Sequence, residues 1–338
     1  MKNPFQPHYD LCNAGNSKEK LASLPEFPHI IDIEMTNTCN FRCLMCPTGN
    51  YSQRRKSGFM DREVYYRILD QLAERKTPLR FIRWGEPLSH PDILEFISAA
   101  TEHGIITHLN TNGSNLDRHR IEDIIATGLS SLKFSFQGAD RGSYAEMRNI
   151  DFYDELVEII KLFHDIRGDR TFPYLALSTT VTNETPEMIE NFRRTISPYV
   201  DKLDIGKTLL DFIDLNAVRL RPHEVEMLKK LKKQESVDKV HPECPEVFDK
   251  LAINWNGEVT ACCMDSDNIM VVGDARTDSL IDIWNSPKLN EYRRILADMR
   301  HDDLPLCANC YETHGFHAKA PGQAGNGKSE SAEAPTTT

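Results

Sequence analysis

Cysteine is the residue type whose spacing most clearly suggests chemistry in this sequence of 338 residues. Three cysteines lie close together near the amino terminus with the spacing C-x3-C-x2-C: Cys39, Cys43 and Cys46. The other six are one isolated residue and a late group of five: Cys12, and Cys244, Cys262, Cys263, Cys307 and Cys310. Nine is an odd number, so complete disulfide pairing within one chain is impossible. Because thiolates bind zinc and iron–sulfur clusters, both groups are candidate metal sites.

The early group favours an iron–sulfur cluster with one iron left open. Three thiolates on one short loop can hold three corners of a [4Fe–4S] cube, and no fourth cysteine lies nearby in the sequence. Zinc is the alternative, but structural zinc sites normally close around four protein ligands. The nearest further ligand, His29, lies at the start of the predicted strand rather than on the loop. Three unrelated buried thiols are a second, weaker alternative.

The late group supplies enough thiolates for a closed site. Seventeen residues separate Cys244 from Cys262, 44 separate Cys262 from Cys307, and Cys307 and Cys310 form a C-x2-C pair. This arrangement suits either structural zinc or a second [4Fe–4S] cluster, and the spacing does not decide between them.

The segment between the two groups alternates short apolar runs with amphipathic helical patterns. Strands are predicted at 29–36, 79–84, 106–110, 132–136, 174–181 and 202–210, and helices at 61–76, 91–103, 117–127, 154–166 and 186–196. Six strand–helix units with right-handed crossovers predict a parallel sheet. A closed (β/α)8 barrel needs about 250 residues and two more units. The predicted fold is therefore α/β: a partial (β/α)6 TIM-like barrel followed by a small cysteine-rich domain.

Polar loops follow each of the first four predicted strands. They are the cysteine loop, Gly85–Pro87, Thr111–Gly113 and Ser135–Gly138. Ligands of such sheets bind beyond the carboxyl ends of the strands, so these four loops are expected to form one site.

The C-x3-C-x2-C loop after the first strand of a partial barrel resembles the radical S-adenosylmethionine (SAM) superfamily, over residues 29–210. The resemblance implies that the open iron chelates SAM and that cluster reduction yields a 5′-deoxyadenosyl radical, which abstracts hydrogen from substrate. It also implies SAM contacts from Gly85, Glu86, Pro87, Asn110, Asn112, Ser135 and Arg148, the last two matching fourth-strand positions. Met45 departs from the family, where this position is often aromatic.

The late cysteines and their surroundings resemble the SPASM/twitch extension of radical SAM enzymes. No cysteine follows Cys310, so the resemblance implies the shorter twitch form with one auxiliary [4Fe–4S] cluster. The implied metal ligands are Cys244, Cys262, Cys307 and Cys310, beside Cys39, Cys43 and Cys46 for the first cluster. Cys263 is read as a spare thiol, although an exchange of roles with Cys262 stays open.

The resemblance implies an oxidoreductase that removes hydrogen from a carbinol carbon of a sugar- or cyclitol-type molecule, with the auxiliary cluster accepting the second electron. Its general base is unassigned. Arg148 and Cys263 are candidate catalytic residues. Polar residues at strand ends that could touch substrate, but are more simply read as rim residues, are Arg83, His108, Gln137, Thr180 and Lys207.

Three alternatives stay open. A redox-neutral epimerase would need a hydrogen donor, for which Cys263 or Cys12 is a candidate. A peptide-modifying maturase is the second, although such enzymes often carry a leader-binding domain and only 28 residues precede the first predicted strand. The third, from another class, is a zinc-binding adaptor without enzymatic activity.

Composition limits the partners and the compartment. Lys and Arg number 40 against 51 Asp and Glu, a net charge of −11 that argues against a nucleic-acid-binding protein. No apolar run of membrane-spanning length and no secretory signal is found, so a cytoplasmic protein without membrane partners is expected. The expected partners are a small-molecule substrate and an electron donor of the flavodoxin or ferredoxin type.

Five segments are predicted along the chain. They are an amino-terminal extension (1–28), the radical SAM partial barrel (29–211), a helical linker (212–240), the twitch/SPASM domain (241–317) and a disordered tail (318–338).

Overall fold

A single nine-stranded sheet organises the chain in a computed structural model that describes residues 1–210, 213–233, 244 and 246–310. The strand order is β6-β5-β4-β3-β2-β1-β7-β8-β9. The strands are Ile30–Ile33 (β1), Leu79–Phe81 (β2), Thr107–Thr111 (β3), Ser131–Ser135 (β4), Tyr174–Val181 (β5), Lys202–Lys207 (β6), Lys250–Ile253 (β7), Glu258–Thr260 (β8) and Val271–Asp274 (β9). Strands β1 to β6 are parallel, which confirms the predicted partial barrel.

Helices alternate with the strands as the sequence pattern predicts. The α-helices are Gln6–Cys12 (α1), Ser17–Ala22 (α2), Arg62–Ala73 (α3), Ile93–Glu102 (α4), Arg118–Ala126 (α5), Arg141–Arg148 (α6), Tyr153–Arg167 (α7), Pro186–Ile196 (α8), Pro222–Lys233 (α9), Glu246–Asp249 (α10), Leu280–Trp284 (α11) and Pro287–Ala297 (α12). Side-chain caps begin several of them: Asp61 accepts from Glu63 N, and Asp117 from Arg120 N. Within the described residues no helix is long and apolar enough to cross a membrane.

Helix α6 was missed by the sequence analysis. It lies between β4 and α7 and begins with a capping box, in which Asp140 accepts from the backbone of Ser143 while the Ser143 side chain meets the Asp140 backbone. Its eight residues include a glycine and carry few aliphatic side chains, so the apolar periodicity is weak. Its last residue is Arg148, so the predicted fourth-strand position of Arg148 is wrong.

The carboxyl-terminal strands continue the barrel sheet instead of forming a sheet of their own. Strand β7 pairs in parallel with β1, Ile30 opposite Lys250 and Ile33 opposite Ile253. Strands β8 and β9 then follow antiparallel. The predicted linker contains α9; its residues 212 and 234–240, and the predicted tail 318–338, lie outside the described residues.

The two faces of the parallel strands differ in polarity. Residues that point outward are aliphatic or aromatic and pack against the helices: Ile31, Ile33, Leu79, Phe81, Leu109, Leu132, Phe134, Leu175 and Leu177. By strand alternation, the residues between them point into the barrel. These inner residues are polar or small: Asp32, Arg80, His108, Asn110, Ser131, Lys133, Ser135, Ala176, Ser178 and Thr180. We call the space that they line the lumen.

The residues before α1 and helix α1 itself close the lumen at the amino ends of the strands. Phe5 is fully buried, and its ring centroid lies 5.6 Å from that of His108 on β3. One turn later, the ring of Tyr9 lies 5.8 Å from the guanidinium carbon of Arg80. The terminal amine of Met1 reaches Asp201, 3.7 Å away, just before β6. The amino-terminal segment therefore covers the floor of the barrel from β2 to β6.

Candidate active site

The first cysteine loop is tightly folded at the carboxyl end of β1. Asn50 stabilises it by donating from Nδ2 to the Leu44 carbonyl at 3.0 Å, and the Cys46 carbonyl accepts from Asn50 N at 2.8 Å. Gly49 permits a close approach, because a Cβ at that position would lie 2.4 Å from the Cys43 carbonyl oxygen. The loop thus brings three thiols together on a well-defined backbone.

Burial and a nearby cation prepare this loop for an anionic metal cluster. Burial raises the pKa of the Cys39 thiol to about 12 and also raises that of Cys46. Thiolates in such surroundings need a bound cation or metal. Arg148 Nη1 supplies positive charge 3.4 Å from Cys43 Sγ. Three clustered thiols beside a buried guanidinium fit an iron–sulfur cluster bound through Cys39, Cys43 and Cys46.

Arg148 links the cysteine loop to β4 although it lies on a helix. Its Nη2 donates to the carbonyl of Ser135, the last residue of β4. Its Nε is buried and has no hydrogen-bond partner among the described residues. An unsatisfied buried N–H beside the cluster loop fits an anionic ligand, such as a carboxylate.

Glu86 is a buried acceptor that joins the ends of β2 and β3. Its Oε1 accepts from Leu88 N at 3.1 Å and from Thr111 Oγ1 at 2.8 Å, and its Oε2 accepts from Asn112 N at 2.8 Å. Burial raises its pKa despite these donors. The carboxylate therefore positions the loops after both strands, with lone pairs left for the predicted ammonium of SAM.

Gly85 brings the loop after β2 against the loop after β1. A Cβ there would lie 2.0 Å from the Thr36 carbonyl oxygen and 2.7 Å from that of Thr38. We expect Gly85→Ala to lower the free energy of unfolding by about 1–3 kcal/mol, since two backbone segments would have to separate. Gly206→Ala is the matched control, because its Cβ would meet Thr180 at an ordinary 3.7 Å. Denaturant titration of both variants measures the difference, and equal midpoints would contradict the expectation.

The two predicted asparagines occupy different places. Asn112 Nδ2 donates to Asn40 Oδ1 at 3.0 Å and lies 3.7 Å from Cys39 Sγ, so it contacts the cysteine loop directly. Asn110 is half-buried on the lumen face, where its Oδ1 lies 2.7 Å from Nε2 of His108. Asn112 therefore supports the cluster loop, whereas Asn110 faces the space below it.

The late cysteines come together at the amino end of β7. A carboxylate oxygen of Glu246 and the Sγ atoms of Cys262 and Cys263 all lie within 4.8 Å of one another. Burial raises the pKa of Cys244, and the charges of Cys307 and Cys310 act in the same direction, which places these thiols near one another. A group of partly buried thiols fits a second metal cluster. Because Cys262 and Cys263 both face it, either could be the ligand.

Most of the predicted rim residues hold the fold together. Arg83 Nη2 donates to the Asp265 carbonyl at 2.9 Å and Nη1 to Thr260 Oγ1 at 3.2 Å, so this residue ties β2 to the late segment. Gln137 Nε2 donates to the Thr180 carbonyl and to Thr208 Oγ1 at 2.8 and 2.7 Å. Lys207 is half-buried at the end of β6. His108 alone of the five packs against the floor of the lumen.

The charged residues of the lumen were not among the predicted site residues. Arg80 and Asp32 form a two-pronged ion pair at 2.6 and 2.7 Å, and Lys133 lies on the same inner face. The signal was present in the run LKFSF, which alternates apolar with polar residues. Parallel strands covered on both faces normally read as continuous apolar runs, so alternation indicates a polar interior.

A cavity lined by several arginines adjoins the cysteine loop. Its volume is about 730 Å³, a size typical of small-molecule sites. Its lining includes Cys39, Arg42, Arg54, Arg55 and Arg219. The Arg42 guanidinium stacks on the ring of Tyr51 at 4.1 Å.

Comparison with known families assigns the class of the protein. The radical SAM superfamily matches residues 33–196, and the SPASM iron-sulfur cluster-binding domain matches residues 244–311. The chain belongs to the radical SAM superfamily and carries a carboxyl-terminal SPASM domain. It is a radical SAM enzyme. Its cofactors are SAM, a [4Fe–4S] cluster and the auxiliary iron–sulfur clusters that the SPASM domain binds.

Similar curated proteins differ in how much of their length is matched. The AdoMet-dependent heme synthase of Methanosarcina barkeri is 27% identical over 50% of this chain and 47% of its own length. The Pyrococcus furiosus tungsten-containing aldehyde ferredoxin oxidoreductase cofactor-modifying protein is 23% identical over 82% and 86%. The S-adenosyl-L-methionine-dependent 2-deoxy-scyllo-inosamine dehydrogenase of Niallia circulans is 21% identical over 83% and 92%.

Solved structures show the same fold at low identity. BtrN in complex with AdoMet and 2-DOIA superposes with a TM-score of 0.55 at 19% identity, covering 84% of this chain and 93% of that one. Streptococcus suis SuiB bound to S-adenosylmethionine gives 0.63 at 17% identity, covering 82% and 70%. These neighbours establish the fold of this chain.

Proposed function

We propose that the protein is a dehydrogenase that oxidises a carbinol carbon of a small polyhydroxylated molecule, such as a sugar, cyclitol or aminocyclitol. One observation carries the proposal. A polar lumen, closed at its floor by α1, lies between two cysteine groups at opposite ends of the neighbouring strands β1 and β7. A hydrophilic substrate of limited size fits this space.

The two sites have separate tasks. When bound, SAM on the first cluster supplies a hydrogen-atom acceptor and the auxiliary cluster supplies an electron acceptor. The chain holds the first site through Cys39, Cys43 and Cys46, and we assign Cys244, Cys307, Cys310 and one of the adjacent pair Cys262 and Cys263 to the second.

We further assign the SAM contacts to the loops after β2, β3 and β4. Gly85, Glu86 and Pro87 would meet the ammonium, and the free Nε of Arg148 would meet the carboxylate. Ser135 and Asn110 face the same region from β4 and β3, and Asn112 would act by supporting the cysteine loop.

Two observations support the substrate class. They are the polar inner face of the barrel and a relative that this chain matches over most of its length. Hydroxyl, amide and charged groups line the lumen beside the small residues Ala176 and Gly206. A polyol suits such a lining, since each hydroxyl both donates and accepts hydrogen bonds. The Niallia circulans dehydrogenase, matched over 92% of its length, acts on 2-deoxy-scyllo-inosamine according to its name.

An acidic electron donor of the flavodoxin or ferredoxin type suits the surface around the arginine-lined cavity. Exposed cations surround Cys39 there, namely Arg42, Arg54 and Arg219, although the chain as a whole carries a net charge of −11. Local positive charge attracts an acidic protein and increases its association rate, most strongly at low salt.

Isotope transfer tests the proposed reaction. The reconstituted enzyme is incubated with SAM, a reductant and 2-deoxy-scyllo-inosamine or related cyclitols that carry deuterium at their carbinol carbons. We expect deuterium in 5′-deoxyadenosine and a product that has lost two hydrogens. Incorporation of one solvent deuterium into an unoxidised product would indicate epimerisation instead. Absence of deuterium transfer from every compound would contradict the proposed substrate class.

A further inference from the structure

Lys133 presents an amine to the interior of the barrel that the site described so far does not use. It lies on β4 opposite Asn110 of β3 and Ala176 of β5. Its neighbours Leu132 and Phe134 belong to the outer apolar core, so its own side chain points into the lumen. No hydrogen bond or ion pair joins it to any other described residue.

The position of Lys133 relative to the SAM site suits contact with substrate. Ser135, whose carbonyl binds Arg148, lies two residues further along β4, a distance of about 7 Å. A substrate below SAM would therefore come within reach of the flexible lysine side chain. The residue opposite Lys133 on β5 is the small Ala176.

Both positively and negatively charged groups lie near Lys133. Asp32 on β1 is occupied by Arg80 on β2, to which it binds through both oxygens. The groups that act on Lys133 are Arg80, Asp204, Lys202 and Asp32, together with His108. Burial, aided by the Arg80 charge, lowers the pKa of Lys133 to about 8, and burial also lowers the pKa of His108 well below its usual value. A neutral amine is therefore accessible near physiological pH.

We propose that Lys133 is the general base that removes the hydroxyl proton of the substrate in the dehydrogenation proposed above. The role rests on that proposed function. Oxidation of a secondary alcohol to a ketone removes a hydrogen atom from carbon, a proton from oxygen and one electron. The hydrogen atom goes to the SAM-derived acceptor, and the electron goes to the auxiliary iron–sulfur cluster. The O–H bond breaks as the neutral Nζ of Lys133 forms its new N–H bond.

The first test measures the amine itself and needs no substrate. The full chain is labelled competitively with trace acetic anhydride between pH 6 and 11, and the peptides that contain Lys133 and the exposed Lys18 are quantified by mass spectrometry. We expect the labelling of Lys133 to reach its midpoint near pH 8, well below that of Lys18. A midpoint at or above that of Lys18 would overturn the proposal.

The second test separates proton removal from charge recognition. Lys133→Met removes the amine, whereas Lys133→Arg keeps the charge but cannot accept a proton near neutral pH. Both variants of the iron-loaded enzyme are assayed with the deuterated cyclitols, and Lys18→Met on the exposed face of α2 is the matched control. We expect both Lys133 variants to lose about 100- to 10,000-fold in kcat for ketone formation, and to lose the fall in rate below pH 8.

The outcomes distinguish this role from the proposed function. If the unmodified enzyme transfers no deuterium to 5′-deoxyadenosine, the dehydrogenase proposal fails and the role of Lys133 fails with it. If the unmodified enzyme makes ketone and Lys133→Arg does so equally well, the dehydrogenase stands and Lys133 is an anion-binding residue. A rise in KM without a change in kcat for Lys133→Met would overturn the base role in the same way.

Discussion

Replacing Cys43 by alanine is expected to remove about four irons per chain and to abolish reductive cleavage of SAM. Cys43 is 5% exposed, lies between the other two loop cysteines in sequence and has its sulfur 3.4 Å from Arg148. With two thiolates left on the loop, the cluster loses a corner and the buried guanidinium loses its anionic neighbour. The change should therefore remove the first cluster rather than merely alter its potential.

Iron and sulfide analysis after anaerobic reconstitution measures this effect, together with 5′-deoxyadenosine formation under reducing conditions. The unmodified chain should hold about eight irons, four in each cluster. Cys12→Ala is the control, because Cys12 is a buried thiol on α1 outside both cysteine groups. A Cys43→Ala protein that keeps all of its iron, or an unmodified protein that binds zinc alone, would contradict the assignment of the loop.

Replacing Cys307 by alanine is expected to separate SAM cleavage from oxidation of the substrate. About four irons should remain, and SAM should still be cleaved, because the first loop follows the carboxyl end of β1 whereas the late cysteines lie at the amino end of the neighbouring strand β7. Formation of ketone should be lost, since the electron from substrate would have no acceptor. Measuring 5′-deoxyadenosine and ketone in the same reaction gives the ratio of SAM cleaved to ketone formed.

The adjacent pair Cys262 and Cys263 provides the comparison within this second cluster. Serine substitutions of each residue are expected to differ, with the ligand losing iron and its neighbour retaining it. A carboxylate oxygen of Glu246 lies within 4.8 Å of both sulfurs, so this residue is near the cluster whichever of the two cysteines is the ligand. Ketone formation at the normal rate by Cys307→Ala would show that the second cluster takes no part in the oxidation.

Regular elements with strong periodicity were predicted closely. Strand β5 and helix α8 have the bounds that the sequence indicates, because an eight-residue run of apolar and β-branched character and a proline-initiated amphipathic helix are local patterns. Strand β1 is shorter than predicted, at Ile30–Ile33, because the chain leaves the sheet early to place the cysteine loop. Helix α6 was missed because its signal is a capping box with little apolar periodicity behind it.

The parts of the candidate site whose residues lie close together in the sequence could be predicted. The three cysteines of the first loop and the motif Gly85-Glu86-Pro87 could be recognised because their spacing places them on single loops. Contacts between distant segments could not be predicted in the same way. Arg148 meets Cys43 across 105 positions of sequence, and Arg83 meets Asp265 across 182. Such pairs depend on how helices and strands pack, which no local pattern encodes.

The sequence alone determined the superfamily, the partial barrel and the two cysteine groups, because periodicity and ligand spacing are properties of neighbouring residues. The tertiary structure decided where those groups stand relative to each other. Pairing of β7 with β1 places the late cysteines at the floor of the barrel and the early loop above it. Strand alternation then directs Lys133, Arg80 and Asp32 into the space between, where burial, a property of the packed chain, lowers the pKa of Lys133 to about 8.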